Sequence, residues 1–333
     1  MEVTTIASFD QKLRTLYLME ILLERTDDEH MLNASELCTI LDQEYGISTD
    51  RRTIYTEMEI LDKFGLDIQQ KKGKCPGYYI GARDFELPEL KLLVDAVQSS
   101  KFITEKKSES LIKKLLSLTS ENNADKLKRS VHITGRVKTE NEKGYYIVDA
   151  INEAINAGVK ISFYYSELNG KKKEVLRNDG KPYTVSPFDL IWDGDYYYLI
   201  GYCDEREAVR TYRVDRIKKQ PEILKEKAVK KPKEYNVSKY TTEVFRMFST
   251  DEAIDVTLLC DNCIMKSVVD KFGMKIKTQS VGEEKFRIKV KVCVSPTFYR
   301  WVFEAAGEIM IEGPSNVRKA YKEMLQKSLD SMN

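Results

Sequence analysis

The sequence predicts an α+β multidomain chain, helical toward its N-terminus, rich in antiparallel strands in its middle and closed by a mixed unit. Three observations carry this. Before residue 120, apolar residues recur at helical spacing in several separate segments. From 160 to 217, aromatic and β-branched runs alternate with short polar turns, the mark of paired strands. From 253 onward, strand and helix patterns follow one another as β-α-β-β-α-β, an order that suggests a ferredoxin-like unit. At 333 residues the chain has room for two or three cores.

Composition narrows the classes. Apolar content is an ordinary 42%, and no run approaches the ~18–20 apolar residues of a membrane span. The start lacks a basic flank followed by a small-residue cleavage site, and six cysteines over this length do not resemble a disulfide framework. The expected compartment is the cytoplasm, with no membrane partner. Net charge is +1 but unevenly spread: residues 1–85 carry 10 Lys/Arg against 16 Asp/Glu, whereas 218–240 carry 8 Lys against 3 Glu. Bulk charge therefore argues against DNA binding by the first segment, and any contact there must come from a local basic face.

In order, residues 10–24 form a first helix with a broad apolar stripe. Asn33-x-x-Glu36 is a helix-start signature, followed by Leu37, Ile40 and Leu41 and ended by Gly46. Ser48 is expected to cap a third helix with Ile54, Met58 and Leu61 inside. Two helices across a short glycine turn fit a helix-turn-helix. Its second helix would carry Ser48, Thr49, Arg51, Arg52, Thr53 and Tyr55 near its start, where arginines and hydroxyls reach base edges and phosphates. Residues 66–80 read as a hairpin with a basic, glycine-rich tip, a wing whose Lys71, Lys72 and Lys74 would lie against phosphate. The alternative is a small helical domain with a solvated lysine turn.

Proline in the first turn opens a helix at 86–89, with Leu90, Leu93, Val94 and Val97 as its apolar face. Another covers roughly 107–118 on Leu111, Leu115 and Leu118, and 119–145 is polar and poorly periodic. These helices serve either as a dimer surface or as an intramolecular subdomain. Helical periodicity returns at 147–157, and the strand 160–165 follows, with a lysine-bearing turn at 169–173 that is either ligand-facing or merely solvated. Tyr183–Ile217 then supplies Ser186-Pro187, a turn at Asp193-Gly194, the strand Tyr196–Ile200 and a returning strand with Arg210, Arg213 and Arg216. Strict alternation sets Arg213 on one face and the other two on the opposite one; a bulge, or a strand ending near Asp215, brings all three together.

This stretch resembles the WYL domain. The Trp-Tyr-Leu run that names that family stands here as Tyr197-Tyr198-Leu199, between the Ser186-Pro187 turn and the closing Arg210-x-Tyr212-Arg213-Val214-Asp215-Arg216-Ile217. Where the family often has an arginine ahead of the Ser-Pro turn, this chain has Lys181 or Tyr183. The resemblance implies an Sm-like (SH3-like) β-barrel that binds a nucleic acid or nucleotide inside a bacterial transcription regulator. It also implies that the segment before it is a winged helix-turn-helix, and that the last unit is the C-terminal extension found after many such domains. The expected division is a DNA-binding domain at 1–85, a helical linker and dimerisation region at 86–145, the WYL barrel at 146–220, a linker at 221–245 and the extension at 246–333.

The function so implied is a homodimer on a palindromic double-stranded operator, its affinity altered by a nucleic-acid or nucleotide effector at the WYL domain. Arg210, Arg213 and Arg216 would make charge-assisted hydrogen bonds to phosphate, Ser186 would add a hydroxyl and Tyr165 a stacking face. Salt bridging of the arginines to Asp189, Asp195 or Asp215 is the competing role. A nucleic-acid-binding accessory module that modulates a partner enzyme is the alternative function, and a metal-dependent nucleotide hydrolase a further one. No P-loop or Gly-x-Ser-x-Gly elbow is present, and the two histidines belong to no constellation, so neither catalytic residues nor cofactor are expected. Cys260-x-x-Cys263 has zinc spacing but lacks a second pair, which favours a packed thiol at Cys260 over a metal site. Trp192 and the tyrosines are either core or stacking platforms, with core the default, and Tyr198 is read as a structural residue of the barrel.

Overall fold

The computed structural model describes residues 2–73, 76–129, 138–139, 141–233, 235, 237 and 253–332, with side chains from residue 12 onward. The chain divides into two compact units, Met1–Glu142 and Lys143–Asn333.

The first unit opens with α1 (Glu2–Arg25), α2 (Ala34–Tyr45) and α3 (Arg51–Phe64). Asn33 and Glu36 cap α2 reciprocally, and Gly46 closes it in the left-handed region that glycine enters without strain. The cap of α3 is Asp50, not Ser48: its carboxylate accepts from the amides of Arg52 and Thr53. Leu18, Ile21 and Leu22 of α1, Leu37 and Leu41 of α2, and Ile54, Met58 and Leu61 of α3 converge with Ile80 in one core. Each fully buried aliphatic side chain contributes roughly 1.5–3 kcal/mol. An ion pair lies in the same interior, with Arg14 Nε and Nη2 both 2.6 Å from Oε1 of Glu57, joining α1 to α3. Strands β1 (Ile68–Lys71) and β2 (Gly77–Ile80) form the hairpin after α3, pairing Ile68 with Ile80.

Three further helices follow, α4 (Leu87–Ser99), α5 (Glu105–Leu116) and α6 (Glu121–Arg129). They share a small core of Leu90, Val94, Leu116, Ala124 and Leu127. Leu93 and Leu118, expected inside, are exposed, because the inward stripes run through Leu90/Val94 and Ile112/Leu116 instead. Helix α6 lies in a stretch read as aperiodic; it has only two buried anchors, Ala124 and Leu127. Its start is held from outside. The buried Ser120 hydroxyl accepts from the amide of Asn123 and donates to Asp27 at 2.5 Å. Asp27 belongs to the loop after α1, which Ile80 and Arg83 also reach through Thr26.

The second unit begins with α7 (Gly144–Ala157), whose Ile147, Ala150, Ile151 and Ala154 are buried. A five-stranded antiparallel sheet follows in the order β8-β7-β6-β3-β9. Its members are β3 (Val159–Phe163), β6 (Tyr183–Asp193), β7 (Tyr196–Cys203), β8 (Ala208–Arg213) and β9 (Glu222–Lys227). A side hairpin, β4 (Ser166–Leu168) and β5 (Glu174–Leu176), carries the lysine turn. Strand β9 corrects the expected linker, since residues 222–227 pair with β3 along the sheet's edge. The last part holds β10 (Ile254–Asp261), α8 (Met265–Phe272), β11 (Thr278–Val281), β12 (Lys285–Val292), α9 (Pro296–Glu304), β13 (Ile309–Gly313) and α10 (Ser315–Asp330). Its four strands are antiparallel in the order β11-β12-β10-β13, with Val256, Leu258, Ile288, Val290, Phe298 and Val302 in the core.

Candidate nucleic-acid and effector sites

Opposite the core, α3 exposes Arg52, Thr56, Glu59 and Lys63, with Ile60 and Phe64 also exposed along the helix. Arg51 and Arg52 are exposed in its first turn, and among the described residues neither makes an ion pair. Thr53 is partly covered and bonds back to Asp50 through its hydroxyl. Tyr55 is 46% exposed, its ring centroid 6.3 Å from that of Tyr78 on β2, so α3 and the hairpin meet along this edge. Ser48 is exposed in the turn before α3, and among the described residues the hydroxyl of Thr49 has no hydrogen-bond partner. On the hairpin Lys72 is exposed, Lys71 reaches back to the carbonyl of Asp28 at 3.5 Å, and Lys74 lies outside the described residues. Sequence reasoning passed over Thr56, Glu59 and Lys63, which are exposed on the same side as Arg52. Their signal was spacing, one, two and three turns beyond that arginine.

The loop behind this face is built around Asp27, which is 3% exposed. Burial alone would push its carboxyl up. Hydrogen bonds from Ser120, from His30 at 2.7 Å and from the amides of Glu29 and His30 outweigh that and hold it below the usual carboxylate value.

In the second unit the three arginines part company. Strand β8 ends at Arg213, and Val214–Arg216 is a single tight turn. Arg213 grips Asp215 with Nε at 3.1 Å and Nη2 at 2.8 Å, and its guanidinium lies 3.6 Å above the ring of Tyr196. Burial pulls its pKa down and Asp215 more than offsets that, so the group is held firmly charged. Arg216 pairs loosely with Glu167 at 3.5 Å, and Arg177 shares that carboxylate at 3.1 Å. Arg210 is half-buried and, among the described residues, has no ion pair. It stands directly across from Gly201 of β7. That position excludes any side chain, because a Cβ would come within 2.5 Å of the Ser186 carbonyl and 2.6 Å of Val185 Cγ1. Arg210 makes no side-chain hydrogen bond among the described residues, and its guanidinium carries five donors.

Two expected ligand residues are interior. Tyr165 is 6% exposed, packed edge-on against Phe163, Tyr183 and Tyr212, with its oxygen accepting from the amide of Arg213 at 3.1 Å. A ring so enclosed offers no stacking face. Ser186 is fully buried, and its Oγ accepts from the amide of Val229 at 3.0 Å, fastening the chain after β9. Tyr198 is buried as expected, whereas Trp192 is 45% exposed against Tyr197. Asp189 holds Lys231 at 2.8 Å rather than an arginine. Sequence reasoning missed Tyr196 and Glu167 as partners of the arginines.

Among the described residues no group of three or more His, Cys, Asp or Glu is placed to hold a metal ion, and no helix is long and apolar enough to cross a membrane. Cys260 is buried in the core, its thiol pushed up to about 11 by burial, while Cys263 is exposed.

Residues 146–221 match the model of the WYL domain. Over 326 residues, 94% of this chain and 97% of the relative, the sequence is 22% identical to "Uncharacterized HTH-type transcriptional regulator YobV" of Bacillus subtilis (strain 168). Similar solved structures include proteasome accessory factor B/C (PafBC) of Arthrobacter aurescens, at 18% identity and a TM-score of 0.29. That match covers 96% of this chain but 47% of PafBC, so this chain spans about half its length. A CRISPR Cas-related protein is 16% identical with a TM-score of 0.38, over 91% of this chain and 78% of that one.

Proposed function

We propose that this chain, which carries a WYL domain over residues 146–221, is a DNA-binding transcription regulator whose WYL domain senses an anionic nucleic-acid or nucleotide effector. The observation that carries the first half is the pair Arg51 and Arg52, exposed and without ion pairs in the opening turn of α3, beside a hairpin bearing Lys71 and Lys72. In this reading residues 1–85 are a winged helix-turn-helix, and a homodimer sets two α3 helices about one DNA turn (~34 Å) apart on a palindromic operator. The five-stranded sheet is an Sm-like barrel, and the last four strands with their helices are a ferredoxin-like extension, in keeping with the order β11-β12-β10-β13. Arg210 is the effector's first anchor. Arg216 is the second, released from Glu167 when a phosphate competes for it. Arg213 is structural, and so are Ser186 and Tyr165.

The test is fluorescence anisotropy with the duplex upstream of the chain's own gene, at several salt concentrations. Arg51→Ala/Arg52→Ala is expected to weaken binding and to lower the salt slope by about 1 for each of the two that contacts a phosphate. Wild-type binding no better than to random duplex would sink autoregulation at that site. If the double variant also matches wild type on random duplexes, an accessory module that binds nucleic acid through its WYL domain becomes the better reading. For the sensor, single-stranded oligonucleotides titrated into wild type and Arg210→Ala should separate the two; equal affinity would remove Arg210 from the site.

A further inference from the structure

Helix α3 carries more than a basic first turn. Its buried residues Ile54, Glu57, Met58 and Leu61 define one side, and at 100° per residue the opposite side is centred on Arg52, Thr56, Glu59 and Lys63, all exposed. The first three differ in what they offer. Arg52 presents a guanidinium with no ion pair among the described residues, its own amide held by the Asp50 cap. Thr56 has turned its hydroxyl inward, where it donates to the Arg52 carbonyl at 3.3 Å, so its γ-methyl is the group left to the surroundings. Glu59 presents an acceptor-only carboxylate that forms no hydrogen bond or ion pair among the described residues. A carboxylate here also repels phosphate, which argues that this side faces base edges rather than backbone.

Donor, methyl and acceptor in succession match what the major groove displays. Guanine shows two acceptors to an arginine fork, thymine shows its 5-methyl to an apolar group, and cytosine shows an amine to a carboxylate. We infer that Thr56 is a specificity-determining residue of this face: its γ-methyl packs on the 5-methyl of a thymine close to a guanine held by Arg52. The two side chains are about 6 Å apart along the helix, a reach of one or two base pairs. This rests on the DNA-binding reading above and names the class of duplex it requires.

The experiment begins with in vitro selection of the full chain against a randomised duplex library. Deoxyuridine then replaces each thymidine of the enriched duplex in turn, which removes only the 5-methyl. Wild type is expected to lose about fourfold in affinity at one thymine per half-site, the ratio corresponding to ~0.8 kcal/mol for one buried methyl. Thr56→Ser keeps the hydroxyl and loses the methyl, so its thymidine-to-deoxyuridine ratio at that position should fall to about one. Thr56→Val, which keeps a methyl, should preserve the preference. Indifference of wild type to every deoxyuridine, or a Thr56→Ser variant with the wild-type ratio, overturns the inference while leaving DNA binding intact. If Thr56→Ser loses all duplex affinity with an unchanged circular dichroism spectrum, Thr56 acts by positioning Arg52, and methyl reading is overturned. Failure to enrich any sequence sinks the DNA-binding reading itself.

Discussion

Removing Arg14 should loosen the N-terminal unit far more than deletion of an ordinary surface arginine. Its partner Glu57 is 4% exposed, and both contacts go to one oxygen, Oε1, at 2.6 Å. The other oxygen, Oε2, is buried with no hydrogen bond among the described residues, where Arg14 is the side chain that compensates this carboxylate. Breaking a buried pair by removing one partner costs about 3–5 kcal/mol, because the survivor keeps its desolvation penalty. That is a large share of a domain stability of roughly 5–15 kcal/mol. Replacing both partners by apolar residues of similar volume is often neutral or stabilising by about 1–4 kcal/mol. Arg14→Ala, which leaves Glu57 buried and unpaired, should therefore be costly, and Arg14→Met/Glu57→Leu should recover the loss. Because the chain has two compact units, a single melting curve is ambiguous, and native-state hydrogen exchange of peptides across α3 is the better assay. Arg14→Ala should speed their exchange by about two to four orders of magnitude, with peptides of the second unit as internal reference. A cost below about 1 kcal/mol, or a double variant no better than Arg14→Ala, would refute the view that an uncompensated carboxylate is what matters.

Gly201→Ala should destabilise the five-stranded sheet by about 1–3 kcal/mol, read by urea denaturation, since the new methyl meets backbone that cannot swing aside. Arg213→Ala should cost about 1.5–3 kcal/mol through the loss of its paired bonds to Asp215, whereas Arg210→Ala should leave stability nearly unchanged; equal effects would contradict the division of roles. Asp27 has a folded-state pKa below its unfolded value of ~3.9, so its contribution is fully present above that value and is lost as pH falls through the folded one. Ser120→Ala removes one of its donors, and acid unfolding of the first unit, followed by circular dichroism, should then begin at higher pH than in wild type. An unshifted acid limb would show that the bond does not act on Asp27.

Much of this was legible beforehand, and the exceptions have physical causes. The cap-x-x-Glu pattern at Asn33 located α2, because capping is a local property. Ser48 and Asp50 are both good capping types, and the choice between them depends on where α3 seats on α1 and α2, which is a tertiary matter. Strand β9 was taken for linker because edge strands often carry the lysines that block further pairing, and Glu222–Lys227 has that composition. The arginines' period pointed to a special strand but said nothing of their partners. Asp215 is two residues from Arg213, yet Tyr196 and Glu167 come from other strands. Hydroxyls such as those of Ser186 and Tyr165 serve a ligand or the protein's own amides equally well, and only packing decides which.

The seat of α6 changes what counts as a portable piece of this protein. Ser120 and Lys126 hold Asp27 and Glu29 in the loop that also receives β2 through Thr26, so the scaffold of α1–α3 includes residues some forty positions beyond its hairpin. A fragment cut at residue 85 would leave Asp27 buried without its serine and would strip the apolar cover from Leu90 and Val94 of any longer fragment that stopped short of α6. Recombination between chains of this type, natural or by design, should therefore find its tolerated junction after Arg129 rather than at the end of the β1–β2 hairpin.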